Sequence, residues 1–311
     1  PVEGQVWYNT TSNVLKGQAA TGAAAWATGG NTNQVRSQAA GAGADKDTGL
    51  VFGGYSGTAT LSETEKYNGS NWTEVNNLST EKRYLAGCGT YTAALCTGGY
   101  TSTGSPASGT TQNEQWNGTN WTEVGDLTRP GSRYDASEFG TTTAALFFGG
   151  EPTTALTEQW NGTNWTEVND LNTARFAVTG FGTTTAGVAA GGRDPVTGDT
   201  EIWNGTNWTE VNDLNTARAD ASASQAASST TGIVFIGSTG NHSNTVANTE
   251  QWNGTNWTET TDLSTARYRG MGGGIGTSAI CATGYNGTAR TALTEEFTGA
   301  GIAQTRTFTD S

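Results

Sequence analysis

The motif Trp-Asn-Gly-Thr-Asn-Trp-Thr-Glu recurs through this chain of 311 residues. A Tyr-Asn-Gly-Ser-Asn-Trp-Thr-Glu variant precedes four identical copies, and the five begin at Tyr67, Trp116, Trp160, Trp203 and Trp252. The second Trp of successive copies recurs after 49, 44, 43 and 49 residues. Because one four-stranded propeller blade takes about 40 to 50 residues, the repeat predicts an all-β fold, a β-propeller.

Each repeat has the pattern of four short strands. In one repeat, Arg175 opens a small-residue strand, and a second strand over 186–190 ends in Gly-Gly. A third strand ends in Glu-x-aromatic, as at Glu201-Ile-Trp203, and Asn-Gly then turns the chain into a fourth strand. Asn-Gly tolerates the positive φ of a tight hairpin, and side-chain alternation then puts both Trp of the motif on one face.

The count of strand ends predicts six blades. Strand two ends in Gly-Gly four times and in Ile236-Gly or Thr283-Gly in the last two repeats. Trp26 precedes Arg36 by the same ten residues that separate Trp165 from Arg175, so an N-terminal strand over 23–28 is expected to complete the last blade. A C-terminal strand within 297–302 is the alternative. The predicted boundaries are a leader over 1–20, a propeller over 21–302 and a tail over 303–311.

Composition and charge restrict the classes of function. Hydrophobic residues make up only 33% of the chain and 45 residues are Gly, which suits many small strands better than one large core. The formal net charge of −13 argues against nucleic acid as a partner. No stretch approaches the roughly 20 apolar residues of a membrane-spanning helix.

The three cysteines, Cys88, Cys96 and Cys281, are expected to be free buried thiols. Cys88 and Cys96 flank one predicted hairpin, so a disulfide between them is the alternative. The count is odd, which leaves at least one thiol without a partner inside the chain.

These features together resemble the kelch repeat. Kelch repeats combine Gly-Gly after a short apolar strand, Glu-x-aromatic, a hairpin, a Trp and a Leu-x-x-x-Arg segment, and this chain has that pattern over nearly its full length. Most kelch repeats have Tyr-Asp before the hairpin, whereas this chain has Trp-Asn or Tyr-Asn. The resemblance implies a six-bladed propeller of four-stranded blades.

The leader has a resemblance of its own. Residues 4–16, Gly-Gln-Val-Trp-Tyr-Asn-Thr-Thr-Ser-Asn-Val-Leu-Lys, are similar to a short stretch of structural and tail proteins of marine bacteriophages, some of which carry kelch units. The resemblance covers about a dozen residues. It implies a virion protein, outside the cell, whose partners are other virion subunits or a host surface glycan or protein.

A repeated arginine that opens each innermost strand is one candidate binding group. Closure would bring the six arginines around the channel mouth, where some kelch domains bind acidic peptides and where guanidinium groups can hold carboxylates in bidentate fashion. The alternative is structural pairing with Asp126, Asp170, Asp213 and Asp262. The six are Arg36, Arg83, Arg133, Arg175, Arg218 and Arg267.

The loops between strands two and three are the second candidate. They vary between repeats, and in a propeller they share one face with the loops between strands four and one, whereas the opposite face carries uniform hairpins. A common scaffold that displays unlike loops is typical of a binding face. The candidate contacts are Tyr55, Tyr100, Arg193, Arg269, Tyr285 and Arg290.

The sequence offers little for catalysis. His242 is the only histidine, which excludes histidine metal clusters and leaves a Ser-His-Asp triad without a nucleophile motif. Glu151, Asp194 and Asp220 are carboxylates that could serve glycoside hydrolysis, but no spacing pairs them. We therefore predict a non-enzymatic protein with no cofactor, metal or catalytic residue, and a virion structural or receptor-binding role. A cellular kelch module that binds acidic peptides and an extracellular lectin are the alternatives.

Overall fold

The computed structural model describes residues 6–9, 14–20, 22–101, 109–129, 133–240, 244–301 and 303–308. Six sheets of four antiparallel strands form a six-bladed β-propeller, which confirms the predicted fold. No helix occurs in these described ranges, so no helical membrane span is found there.

The strands follow the predicted order within each blade, from the central channel outward. Strand one of blades 1 to 6 is Ala40–Asp45, Ala86–Thr90, Ser137–Thr141, Thr179–Thr183, Ser222–Ala223 and Met271–Ile275. Strand two is Thr48–Phe52, Ala93–Thr97, Ala144–Phe148, Ala186–Gly192, Gly232–Phe235 and Ser278–Ala282. Strand three is Thr64–Tyr67, Asn113–Trp116, Thr157–Trp160, Thr197–Trp203, Thr249–Trp252 and Thr294–Thr298. Strand four is Trp72–Val75, Trp121–Val124, Trp165–Val168, Trp208–Val211, Trp257–Glu259 and, in blade 6, Ala25–Thr28.

An N-terminal strand closes the ring, as predicted. Ala25–Thr28 pairs with Thr294–Thr298, with Trp26 opposite Phe297. The alternative, a C-terminal fourth strand, is excluded. Every blade therefore has its fourth strand. A three-stranded blade would expose the edge of strand three, and exposed edges favour aggregation.

The two ends of the chain pair with each other. Val6–Asn9 pairs with Val14–Ala20, and the latter pairs with Ala303–Phe308 in a separate three-stranded sheet. The predicted leader and tail therefore contribute to one sheet. The remaining positions of those two segments lie outside the described residues.

The repeated motif forms a hairpin with a four-residue loop. Trp116 lies directly opposite Trp121, and their ring centroids are 5.4 Å apart. The side chain of Asn117 accepts hydrogen bonds from the backbone N–H groups of Thr119 and Asn120, while Gly118 adopts a φ of +95°. Both Trp therefore pack on one face of the sheet, as predicted, and the pair contributes stacking in addition to burial.

The second Trp of the motif also joins neighbouring blades. In five blades the indole N–H of this Trp, or of the equivalent Trp26 in blade 6, donates to a Thr hydroxyl in strand three of the preceding blade, over 2.9 to 3.1 Å. That Thr stands three residues before the aromatic residue of strand three. Asn113 replaces that Thr in blade 2, and the indole N–H of Trp165 in blade 3 finds no acceptor among the described residues. The seam between blades 2 and 3 thus lacks a bond that the other five seams have.

Cys88, Cys96 and Cys281 are buried and free, as predicted. All three lie in the inner two strands of their blades, where side chains are shielded from water. Burial raises the pKa of each thiol above its ordinary value, so the thiols are protonated at neutral pH.

Candidate functional site

The repeated basic side chain of each blade forms a buried ion pair with the Glu of strand three. The predicted arginine ring is therefore corrected: these groups lie inside their own blades, at most 4% exposed, and do not face a ligand at the channel mouth. The pairs are Arg36–Glu65 at 2.5 Å, Lys82–Glu114 at 2.9 Å, Arg133–Glu158 at 3.0 Å, Arg175–Glu201 at 2.8 Å, Arg218–Glu250 at 2.5 Å and Arg267–Glu295 at 2.7 Å.

Each pair fastens the segment that links two blades. Arg133 also donates to the carbonyl oxygens of Gly149 and Leu156 at 2.8 and 2.7 Å, and the second oxygen of Glu158 accepts from the backbone N–H of Thr128. Burial lowers the pKa of the Arg133 guanidinium to about 10, so the group remains charged at neutral pH. These arginines hold the connections that carry the loop face.

The aspartates proposed as alternative partners have another role. Asp170 accepts a hydrogen bond from the backbone N–H of Thr157, at 3.1 Å, and so caps the start of strand three. Asp126, Asp213 and Asp262 make the same contact in their blades. The expected Asp–Arg pairing is wrong because the Glu of strand three, not the Asp, reaches the buried guanidinium.

Arg83 does not belong to the repeated set. Lys82 takes the place of the arginine in blade 2 and pairs with Glu114. Arg83, one residue later, lies on the loop face, with its guanidinium carbon 4.7 Å from the ring centroid of Tyr55 and 5.0 Å from that of Tyr100. The ten-residue spacing from Trp72 to Lys82 is the signal that could have found this register.

The mouth of the central channel is surrounded by six residues with left-handed backbones. The φ angles lie between +52° and +61°, and each N–H donates to the carbonyl of the equivalent residue in the adjacent blade, so that six hydrogen bonds close a ring. A narrow cavity of about 90 Å³ lies within this ring and between the first strands. The ring residues are Gln38, Tyr84, Asp135, Ala177, Asp220 and Arg269.

Arg269 spans the mouth and is fully engaged. Its guanidinium donates to Asp220 at 2.8 Å, to Asp135 at 2.9 Å and to the hydroxyl of Tyr84 at 3.1 Å. Arg193 binds the other oxygen of Asp220 at 2.5 Å. Burial raises the pKa of Asp135 to about 6, whereas the two arginines outweigh burial and lower the pKa of Asp220. The predicted contacts Arg193 and Arg269 are thus held in a structural network.

Two of the ten arginines with described side chains have no ion pair among the described residues, and both lie against the same tyrosine. The guanidinium carbons of Arg83 and Arg290 are 4.7 and 4.5 Å from the ring centroid of Tyr55. Arg290 also lies 5.6 Å from the ring of Tyr285. We call Tyr55, Arg83, Tyr100, Tyr285 and Arg290 the loop-face cluster. The structure brings these five predicted contacts together from blades 1, 2 and 6.

The loop-face cluster borders an open pocket between blades 6 and 1. The pocket has a volume of about 250 Å³ and a mainly polar lining. Two connecting segments and one loop form its walls. The lining residues are Ser37, Gln38, Tyr268, Arg269, Tyr285, Gly287 and Arg290.

Tryptophan does not supply an exposed platform on this face. Eight of the ten Trp with described side chains are buried, and Trp26 and Trp121 are half-buried with their indole N–H groups bonded to Thr. The half-buried Tyr55, Tyr100 and Tyr285 are the aromatic groups of the loop-face cluster. A lectin role would therefore depend on tyrosine.

In the described part of the chain, the carboxylates that the sequence offered for catalysis do not form an acid–base pair. No group of three or more His, Cys, Asp and Glu residues there is placed to hold a metal ion. Asp220 is engaged by two arginines, and Asp194 accepts from the hydroxyl of Thr153. His242 lies outside the described residues. The absence of enzymatic activity stays a prediction.

Sequence reasoning missed several residues at the channel mouth and pocket. Gln38, Tyr84 and Asp135 were not singled out, nor were Tyr134 and Tyr268. The signal was the pair of positions directly after the buried basic residue. The second of these positions holds Gln, Tyr, Asp, Ala, Asp and Arg in blades 1 to 6, although the basic residue itself recurs in every blade. Variation at one position of a repeat is typical of side chains that the packing of the scaffold does not fix.

Comparison with models of protein families finds no match, and comparison with curated proteins finds none either.

Proposed function

We propose that this protein is a non-enzymatic binding propeller whose ligand contacts the loop-face cluster. The observation that carries the proposal is the meeting of Arg83 and Arg290 at Tyr55, both without a carboxylate partner in the described part of the chain. Each of the other eight arginines whose side chains the structure describes is in an ion pair. Two uncompensated cations in a protein of net charge −13 form a local site for an anionic group.

Stacking on tyrosine favours recognition by these arginines. A guanidinium held against an aromatic ring keeps its charge and its edge donors while it loses side-chain freedom. Less entropy is therefore lost when it binds a carboxylate, sulfate or phosphate group. The Nε atoms of Arg83 and Arg290 are buried and lack acceptors among the described residues, so a ligand atom that reached them would satisfy a missing bond.

The proposal predicts selective loss of binding when the cluster is changed. The purified chain is applied to an array of acidic glycans, neutral glycans and acidic peptides, and the variant Arg83→Ala/Arg290→Ala is compared with it. We expect at least tenfold weaker binding of the recognised acidic probes, because each charged hydrogen bond contributes about 1.5–3 kcal/mol.

Lys66→Ala is the matched control. Lys66 lies 4.5 Å from the ring centroid of Tyr91, near the uniform hairpins of the opposite face, so its loss removes a stacked cation without touching the cluster. Unchanged binding by Lys66→Ala and reduced binding by the double variant would support the proposal. Equal binding by all three proteins, or no binding by any, would contradict it.

The proposed setting is the surface of a virion, where the propeller would bind a host component or another virion subunit. The similarity of residues 4–16 to phage structural proteins supports this setting, and part of that segment lies outside the described residues. Cryo-EM of the native particle tests it. The propeller traced on a phage tail or capsid is the expected result, whereas a lone cytosolic protein would favour a cellular module that binds acidic peptides.

A further inference from the structure

The pocket between blades 6 and 1 has the size of one ring-shaped group. Its volume of about 250 Å³ lies just below the 300–1,000 Å³ typical of sites for drug-sized ligands. Gly287 contributes backbone without a side chain, and a Cβ there would meet nothing closer than Thr245 at 3.7 Å. The pocket is therefore open on that side and admits a group that projects from a larger molecule.

Two polar atoms of the pocket-lining residues are buried and have no partner among the described residues. One is Oε1 of Gln38, an acceptor, and the other is Nε of Arg290, a donor. A buried polar atom without a hydrogen bond costs about 1–3 kcal/mol. A matching ligand would carry both a donor and an acceptor, placed on one small rigid frame.

The pocket lining carries one positive charge without a carboxylate partner, which favours a ligand with a single anionic group. Arg269 is already bonded to Asp135 and Asp220, so it offers no free charge. Arg290 has no carboxylate partner in the described structure and therefore supplies one positive charge to the pocket. One carboxylate is enough to neutralise it.

The backbone around the pocket leaves little for a peptide to bind. At its edge, three pairs of residues are already joined by backbone N–H···O=C bonds, over 2.8 to 3.1 Å. A peptide would bury its own amides without backbone partners, whereas a sugar presents only hydroxyl and carboxylate groups to the side chains. The paired residues are Ser37 with Tyr55, Tyr268 with Tyr285, and Gln38 with Arg269.

We infer that this pocket binds one acidic sugar residue of a glycan. Its carboxylate accepts from the guanidinium of Arg290, and a ring hydroxyl donates to Oε1 of Gln38. Tyr285 lies beside the sugar as an aromatic wall. The inference rests on the proposed function and specifies the ligand class for part of the same face.

The test compares two sugars that differ only at C6, where one carries a carboxylate and the other a neutral hydroxymethyl group. Methyl β-D-glucuronide and methyl β-D-glucoside are titrated into the full chain, and binding is followed by saturation-transfer NMR and by chemical shifts of the protein. We expect the glucuronide to bind at least tenfold more tightly than the glucoside. Arg290→Ala and Gln38→Ala should each weaken glucuronide binding at least fivefold, and Ala177 at the equivalent ring position shows that alanine is accommodated there.

Arg129→Ala is the charge-matched control. Arg129 pairs with Glu167 on the exposed surface between blades 2 and 3, so its removal changes net charge as Arg290→Ala does, but away from the pocket. Its glucuronide affinity should equal that of the parent protein. Thermal unfolding of each variant separates loss of binding from loss of fold.

Three results would overturn the inference. Equal binding of glucuronide and glucoside would exclude the carboxylate contact. Binding of an acetylated glutamate peptide in preference to glucuronide, with the same loss in Arg290→Ala, would exclude the sugar but leave the binding propeller intact. Absence of glucuronide binding would exclude this pocket, whereas the proposed function fails only if the array also shows no dependence on Arg83 and Arg290.

Discussion

Replacing Arg175 with alanine is expected to lower the free energy of unfolding by about 3–5 kcal/mol, because it leaves the buried carboxylate of Glu201 without its cation. The two side chains lie 2.8 Å apart and are 1% and 2% exposed. Glu201 would retain only its bonds from the backbone N–H and side chain of Asn172. Urea denaturation at pH 7, monitored by tryptophan fluorescence, measures the change.

The exposed pair Arg129–Glu167 is the control for this effect. Its side chains are 49% and 46% exposed, and an exposed ion pair contributes only about 0–1 kcal/mol. Arg129→Ala should therefore change the unfolding free energy by less than about 1 kcal/mol. If Arg175→Ala unfolded like the parent protein and lost ligand binding instead, the arginine would belong to a binding site and our assignment would be wrong.

Replacing Glu138 with glutamine is expected to remove a large pH dependence of stability. Glu138 occupies a place in strand one where the other blades have Gly or Ala, and it faces Thr97 and Cys88 across the seam between blades 2 and 3. Its Oε2 has no partner among the described residues. The nearby cation Lys82 is already paired with Glu114, so its charge is not available to stabilise an ionised Glu138.

Burial raises the pKa of Glu138 to about 8, from an ordinary value of 4.5. Between these values the folded protein keeps a proton that the unfolded chain has lost. Stability therefore falls as pH rises from about 4.5 to 8, by up to about 1.4 kcal/mol per pH unit. A protonated Glu138 can also donate to the hydroxyl of Thr97, whose own hydrogen is then free to bond Asn113.

The measurement is the unfolding free energy of the parent protein and Glu138→Gln at pH 5, 6, 7 and 8. The variant should gain stability relative to the parent as pH rises, because an amide fills the same space without ionising. Asp135, whose pKa is raised to about 6, remains in both proteins and cancels in the difference. Glu123→Gln, which alters an exposed carboxyl group, is the control, and parallel curves for Glu138→Gln and the parent would refute the prediction.

Short-range sequence patterns were sufficient to predict how the strands of the scaffold are arranged. The Asn-Gly hairpin and side-chain alternation placed Trp116 and Trp121 on one face of the sheet. The four-residue loop that puts them directly opposite each other was a finding of the structure. The ten-residue interval between Trp26 and Arg36 placed the closing strand correctly, since it preserved the spacing of a complete repeat.

Short-range sequence patterns were not sufficient to predict which arginines are buried in ion pairs and which are not. The Arg residues and the partnering Glu are separated by 25 to 32 positions, and only the packed blade shows which carboxylate reaches each guanidinium. The register error at Arg83 has the same origin. Two adjacent basic residues are equivalent in the sequence, but Lys82 points into the blade and Arg83 lies against tyrosines on its surface.

The sequence by itself determined the six blades and their four-stranded composition, because these follow from period, turns and alternation along the chain. It favoured the N-terminal strand for closure, and the structure excluded the C-terminal alternative. Only the tertiary structure decided which cations are buried, that six left-handed residues close a ring, and that Gln38 and Arg290 line one pocket. Those features depend on closure, which brings together the first and last blades from opposite ends of the chain and cannot be read from neighbouring residues.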